Sequence, residues 1–187
     1  MDLRREDGRA LCSSLKKLIN LRSLFVQSVQ SDEIIDLMSL TLPPPLLQKL
    51  QLKGRLEKLP HWIPSLHSLV KVKLWYSRVM DSHLQRLQDL PNLLELDFRC
   101  AYDGETLCFM AGKFRRLKRL SLAMMEKLTR ATVEHGAMPN LVKLSITGCD
   151  NLEELPSGIE HLINLQLRYP GVALLHGLTP CRIKTKK

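Results

Sequence analysis

Met138–Leu167 reads MPNLVKLSITGCDNLEELPSGIEHLINLQL. Leu141, Leu144 and Ile146 stand as L-x-x-L-x-I. Cys149 follows, then Leu152 and Leu155, and Leu162, Leu165 and Leu167 begin the same spacing again. Apolar residues two apart, at the fourth and sixth places, carry the period of a strand, whose alternate side chains face in and out. The stretch is therefore one full structural period and the start of the next.

Outward from it, the same unit begins at Leu21, Leu47, Leu69, Leu93, Leu117, Leu141 and Leu162, as LRSLFV, LQKLQL, LVKVKL, LLELDF, LKRLSL, LVKLSI and LINLQL. The spacings are 26, 22, 24, 24, 24 and 21 residues. All fall within the roughly 20–29 residues of a leucine-rich repeat. One such unit cannot bury its own leucines and depends on its neighbours, so the units must stack. The fold predicted is an α/β leucine-rich-repeat solenoid: a curved parallel sheet of about seven short strands, with an irregular or short-helical convex side. Its predicted limits are residues 15–170. Residues 1–14 are expected to be a partial repeat or a fraying segment, and 171–187 a basic C-terminal tail with Arg182, Lys184, Lys186 and Lys187.

Composition agrees. The 187 residues are 44% hydrophobic but only 5% aromatic, so the core must be aliphatic. No apolar run approaches the ~20 residues of a membrane span. The start, MDLRREDGRA, lacks the apolar segment of a secretory signal, and the expected location is cytoplasmic. Cys12, Cys100, Cys108, Cys149 and Cys181 form no C-x-x-C pair and read as buried free thiols. The six histidines show no metal-ligand spacing. No nucleophile sits beside a base at a recognisable spacing. The residues thus predict neither catalysis nor a cofactor nor a metal.

Between strands, Leu84, Leu87 and Leu90 recur at helical spacing after Asp81 and Ser82, which are candidate N-caps, and predict a short helix ending before Pro91. Asp103-Gly104 reads as a turn, and Phe109 and Phe114 as packing residues. Cys149 holds the place where such repeats satisfy the turn after the strand, filled earlier by Ser77, Ala101 and Met125. Trp62, in LPHWIP, reads as packing between strands.

The third, fifth and seventh places of each unit face the hollow side, and eight of these residues are basic against two acidic. Lys49, Lys53, Lys71, Lys73, Trp75, Arg99, Arg119 and Lys143 are the candidate partner-binding residues. With a net charge of +9, they favour an acidic protein partner. Trp75 has two readings, an interface anchor or a ring packed along its neighbours' lysine stems. Nucleic acid fits poorly, because only Trp75 and Tyr76 are at hand to stack on bases.

LEKLPHWIPSLHSLVKVKLWYS at Leu56–Ser77, LQDLPNLLELDF at Leu87–Phe98, AYDGETLCF at Ala101–Phe109 and GAMPNLVKLSITGCDNLEELPSGIEHLINL at Gly136–Leu165 carry a resemblance. They are similar to the leucine-rich-repeat region of plant coiled-coil, nucleotide-binding disease resistance proteins. The resemblance implies sensing of pathogen effectors or of modified host proteins, and restraint of an attached nucleotide-binding switch. No G-x-x-x-x-G-K-[ST] loop occurs in this sequence, so it carries no phosphate cradle of its own. The competing reading is a generic intracellular repeat scaffold or the substrate arm of a ubiquitin ligase.

Overall fold

The computed structural model describes residues 2–30 and 32–169. The basic tail expected at 171–187, and Cys181 within it, lie outside them. Among the described residues ten strands form. Asp2–Leu3 (β1), Ser23–Ser28 (β2), Lys49–Lys53 (β3), Lys71–Trp75 (β4), Glu95–Arg99 (β5), Arg119–Ala123 (β7), Lys143–Thr147 (β9) and Gln166–Arg168 (β10) build one parallel sheet in chain order. Thr106–Phe109 (β6) and Arg130–Val133 (β8) build a second. The α-helices among the described residues are Gly8–Leu15 (α1) and Asp81–Gln88 (α2), with single 3-10 turns at Arg5–Asp7, Ile63–Ser65 and Ile159–His161.

The spine is the predicted one. Leu50 and Leu52, Val72 and Leu74, Leu96 and Phe98, Leu120 and Leu122, and Leu144 and Ile146 are all buried, and all belong to a single apolar cluster. Four of the strands, β3, β4, β7 and β9, are entered by the same turn: the first-place N–H of Leu47, Leu69, Leu117 and Leu141 donates to the carbonyl three residues back, at 2.9–3.2 Å. The PNL sequences tie successive turns together, since Asn92 Nδ2 donates to His67 O at 2.8 Å and Asn140 Nδ2 to Arg115 O at 2.7 Å.

The chain leaves each strand in the left-handed region. Place eight is Gly54, Tyr76, Cys100, Met124 and Gly148, all with positive φ, at 145°, 58°, 47°, 53° and 60°. There the N–H of Gly54, Tyr76, Cys100 and Met124 donates sideways to the next strand at 2.8–2.9 Å, while the backbone turns toward the convex side. Three of the five are not glycine, which places steric strain at the middle of the column.

The convex side differs from expectation. Besides the helices it holds the β6–β8 sheet, in which Thr106 pairs with Arg130 and Phe109 with Val133. TLCF and RATV alternate like strands and lie at equivalent places of adjacent repeats, so stacking brings them into register. Asp103-Gly104 forms no turn, and a bend falls instead at Glu105. The α2 helix begins at Asp81 itself, so neither Asp81 nor Ser82 caps it; the cap position is Met80, whose N–H donates to His83 Nδ1 at 3.0 Å. Asp81 instead accepts from the buried Tyr102 hydroxyl.

The last unit is also offset. Leu167 pairs with Leu144, so Leu167 and not Leu165 holds the fourth place. Leu165 donates its N–H to Leu162 O at 3.1 Å, as Leu141 does to Met138. Because the error is two residues, the inward and outward faces are unchanged.

The other packing readings divide. Trp62 is buried, with Nε1 donating to Leu37 O at 3.0 Å, and Phe109 packs on Phe114 with ring centroids 6.2 Å apart. Of the thiols, Cys12 and Cys149 are buried, Cys100 is half-buried and Cys108 is exposed. Cys108 corrects the expectation of burial: it points outward from the convex strand, between the inward Leu107 and Phe109.

Candidate functional site

The hollow face is the outward side of the main sheet, and lateral pairing arranges it in three rows. The first runs Ser23, Lys49, Lys71, Glu95, Arg119, Lys143 and Gln166. The second runs Phe25, Gln51, Lys73, Asp97, Ser121, Ser145 and Arg168. The third runs Gln27, Lys53, Trp75, Arg99, Ala123 and Thr147. Neighbours in a row come from strands only about 4.8 Å apart. Residues some two dozen positions apart in sequence therefore act on one another directly.

The eight candidate residues are all placed on this face, but not in equivalent circumstances. Glu95 takes Lys71 at 2.5 Å and also pairs with Arg119, so these two cations share one carboxylate. Lys49 is exposed beside Lys71, and Lys143 is exposed at the far side of Arg119. The predicted stripe is thus partly neutralised within the protein.

The surroundings of Trp75, in the third row, are different. Lys73 Nζ lies 5.1 Å from the Trp75 ring centroid and Arg99 Cζ 5.5 Å from it. The half-buried ring carries both cations, each such contact contributing about 0.5–1 kcal/mol at an exposed site. Lys53 stands beside Trp75 on the opposite strand. Among the described residues none of Lys53, Lys73 and Arg99 joins an ion pair. The Trp75 Nε1 is shut from solvent without an acceptor there, a condition that costs about 1–3 kcal/mol. The ring thus lies against two basic side chains by their charged ends, the Lys73 ammonium and the Arg99 guanidinium.

Two features escaped the sequence reading. Phe25 is 42% exposed at the first end of the second row, next to Gln51. Its alternation was legible; its exposure follows from its place beside the end of the sheet. The second is an open cleft of about 330 Å³ on the rim where the strands end, lined by Tyr76, Arg78, Cys100, Tyr102, Met124 and Glu126 among others. The left-handed column builds it, and the only sequence signal was the glycine at the same place in Gly54 and Gly148.

Among the described residues no cysteine is activated as a nucleophile. Burial pushes the Cys149 thiol above its ordinary value, and nearby Asp150 adds to the rise. Cys12, Cys100 and Cys108 are likewise raised, burial first, with Asp36, Glu126 and Glu134 respectively contributing. All four therefore stay protonated and weakly nucleophilic near neutral pH. Among the described residues no three His, Cys, Asp or Glu side chains are grouped to hold a metal, and no helix is long and apolar enough to cross a membrane.

A family model described as a leucine-rich repeat region matches residues 2–168. Disease resistance protein RPM1 of Arabidopsis thaliana is 40% identical over 164 residues, covering 88% of this chain and 18% of that protein. Disease resistance protein RPH8A of the same plant is 29% identical over 167 residues, covering 87% and 18%. Disease resistance RPP8-like protein 3 is 30% identical over 123 residues, covering 64% and 13%. The chain thus spans less than a fifth of the length of each of these relatives.

Proposed function

The chain belongs to the leucine-rich-repeat family, and from that premise we propose that it is the recognition module of a plant disease-resistance receptor, gripping an acidic protein surface in its hollow face. The partner is a pathogen effector, a modified host protein or a nucleotide-binding portion of the same receptor. The module acts by binding and not by catalysis. The observation that carries this is the cationic cluster of Lys53, Lys73 and Arg99 around Trp75, in a chain whose relatives are disease resistance proteins. An aromatic ring flanked by cations free of internal ion pairs has the composition of an interface anchor for an acidic surface.

A chimera tests it. Residues 2–168 would replace the matched stretch of full-length RPM1, and cell death would be scored in leaf tissue with and without elicitor. Reversing Lys53, Lys73 and Arg99 to Glu is expected to change the resting or the elicited response at equal protein level, while Arg130→Glu on the convex sheet leaves it unchanged. A response indifferent to the concave reversal would overturn the proposal.

A further inference from the structure

Resting on that reading, we infer that recognition is not spread along the basic face but centred on Trp75, where a partner's Asp or Glu side chain seats between Lys73 and Arg99. The occupant is an acidic peptide segment of a protein.

Three observations point to this place. First, the cations of the face are unequal. Glu95 already occupies Lys71 and Arg119, so a partner carboxylate would have to compete with it there. Lys53, Lys73 and Arg99 form no ion pair among the described residues, although Asp97 is the lateral neighbour of Lys73. Second, the ring holds two of those cations close, Lys73 Nζ at 5.1 Å and Arg99 Cζ at 5.5 Å from its centroid, which limits where their charge can go. A guanidinium held on an aromatic face keeps its planar fork aligned for bidentate pairing with a carboxylate. Third, the indole Nε1 lacks an acceptor. A carboxylate that parts the two cations and lets the ring turn supplies one.

Charge order selects the class of partner. On β5 the first two rows carry Glu95 and Asp97, immediately beside Arg99. A polyphosphate chain crossing the sheet would have to pass over these carboxylates, whereas one acidic side chain entering from the rim does not. The site is therefore suited to a discrete carboxylate and unsuited to a nucleic-acid track.

The experiment uses the whole chain, labelled with ¹⁵N at tryptophan, and a hexaglutamate peptide as probe. The chain has two indole N–H signals, Trp62 and Trp75, assigned with Trp75→Phe. The expected result is that hexaglutamate shifts the Trp75 signal and leaves the buried Trp62 signal in place. Lys73→Glu or Arg99→Glu should weaken binding by at least about tenfold, and Lys143→Glu, the same charge change four strands away from Lys53, by less than about twofold. Binding weakened equally by all three reversals, with Trp75 unmoved, would overturn the Trp75 seat while sparing a diffuse basic face. No binding of hexaglutamate at all would overturn both. A larger Trp75 shift with oligothymidylate than with hexaglutamate would assign the site to phosphates and overturn the carboxylate.

Discussion

The Glu95 carboxylate holds the Lys71 ammonium at 2.5 Å, from the neighbouring strand of the main sheet. Both side chains are partly solvated, so the contact itself adds no more than about 1 kcal/mol to stability. Its larger effect is on what a partner meets, because the same carboxylate also engages Arg119. Glu95→Gln is therefore expected to shift the melting midpoint only slightly and to raise affinity for hexaglutamate about two- to tenfold by releasing two cations. Titration calorimetry at low salt checks it, and unchanged affinity would mean that Glu95 does not mask them.

Leu144 is 2% exposed and paired to Leu120 on one side and Leu167 on the other. Leu144→Ala should cost about 2–5 kcal/mol by removing packed methyl groups. Leu144→Asp should cost more, since it buries an unpaired carboxylate, and should unfold at least the adjoining repeats. Thermal unfolding followed by circular dichroism gives the answer; a wild-type midpoint for Leu144→Asp contradicts the strand register.

Met124 and Gly158 make an opposed pair. Met124 has φ of 53° and its side chain is 48% exposed, so Met124→Gly gives up little packing and relieves left-handed strain. It should stabilise by up to about 1 kcal/mol. Gly158 has φ of 85°, and a Cβ there would collide with the Val133 carbonyl on the convex strand. Gly158→Ala should destabilise by more than about 1 kcal/mol. Urea midpoints measured side by side test both signs.

His83 is held below its ordinary value of 6.5, first by burial and second by the nearby Arg86 charge. The fold thus prefers the neutral ring, whose Nδ1 accepts the Met80 N–H. A depressed folded value means that the unfolded chain takes the proton first. Stability from this group is complete above about pH 6.5 and is lost as pH falls below it toward the folded value. His83→Gln should flatten that part of the profile. Melting midpoints at pH 7.5 and 5.0, compared between the two proteins, check it; identical pH dependence would remove His83 as a cause.

Much of this was readable beforehand because it depends on short-range order. L-x-x-L-x-L places apolar side chains on one face of a strand wherever the strand sits, and the recurrence of that unit forces neighbours to stack. Even the misplaced last unit illustrates it: Leu167 and not Leu165 meets Leu144, yet Gln166 and Arg168 still face outward, since a two-residue slip preserves alternation. The segments TLCF and RATV were harder. They are too short to declare themselves as strands and become so only because stacking sets Thr106 against Arg130.

What the sequence by itself determined is the solenoid, its aliphatic spine and the identity of the residues on the hollow face. What only the tertiary structure decided is which of those residues are already occupied. Glu95 lies 24 positions from both Lys71 and Arg119 and pairs with both, while Asp97, beside Lys73 in the second row, forms no ion pair with it. Trp75 receives Arg99 from the next strand and Lys73 from its own. The physical reason is one of range. Burial follows from alternation along a strand, but charge pairing acts across strands over a few ångströms, between groups whose lateral register and rotamers no count along the chain can supply.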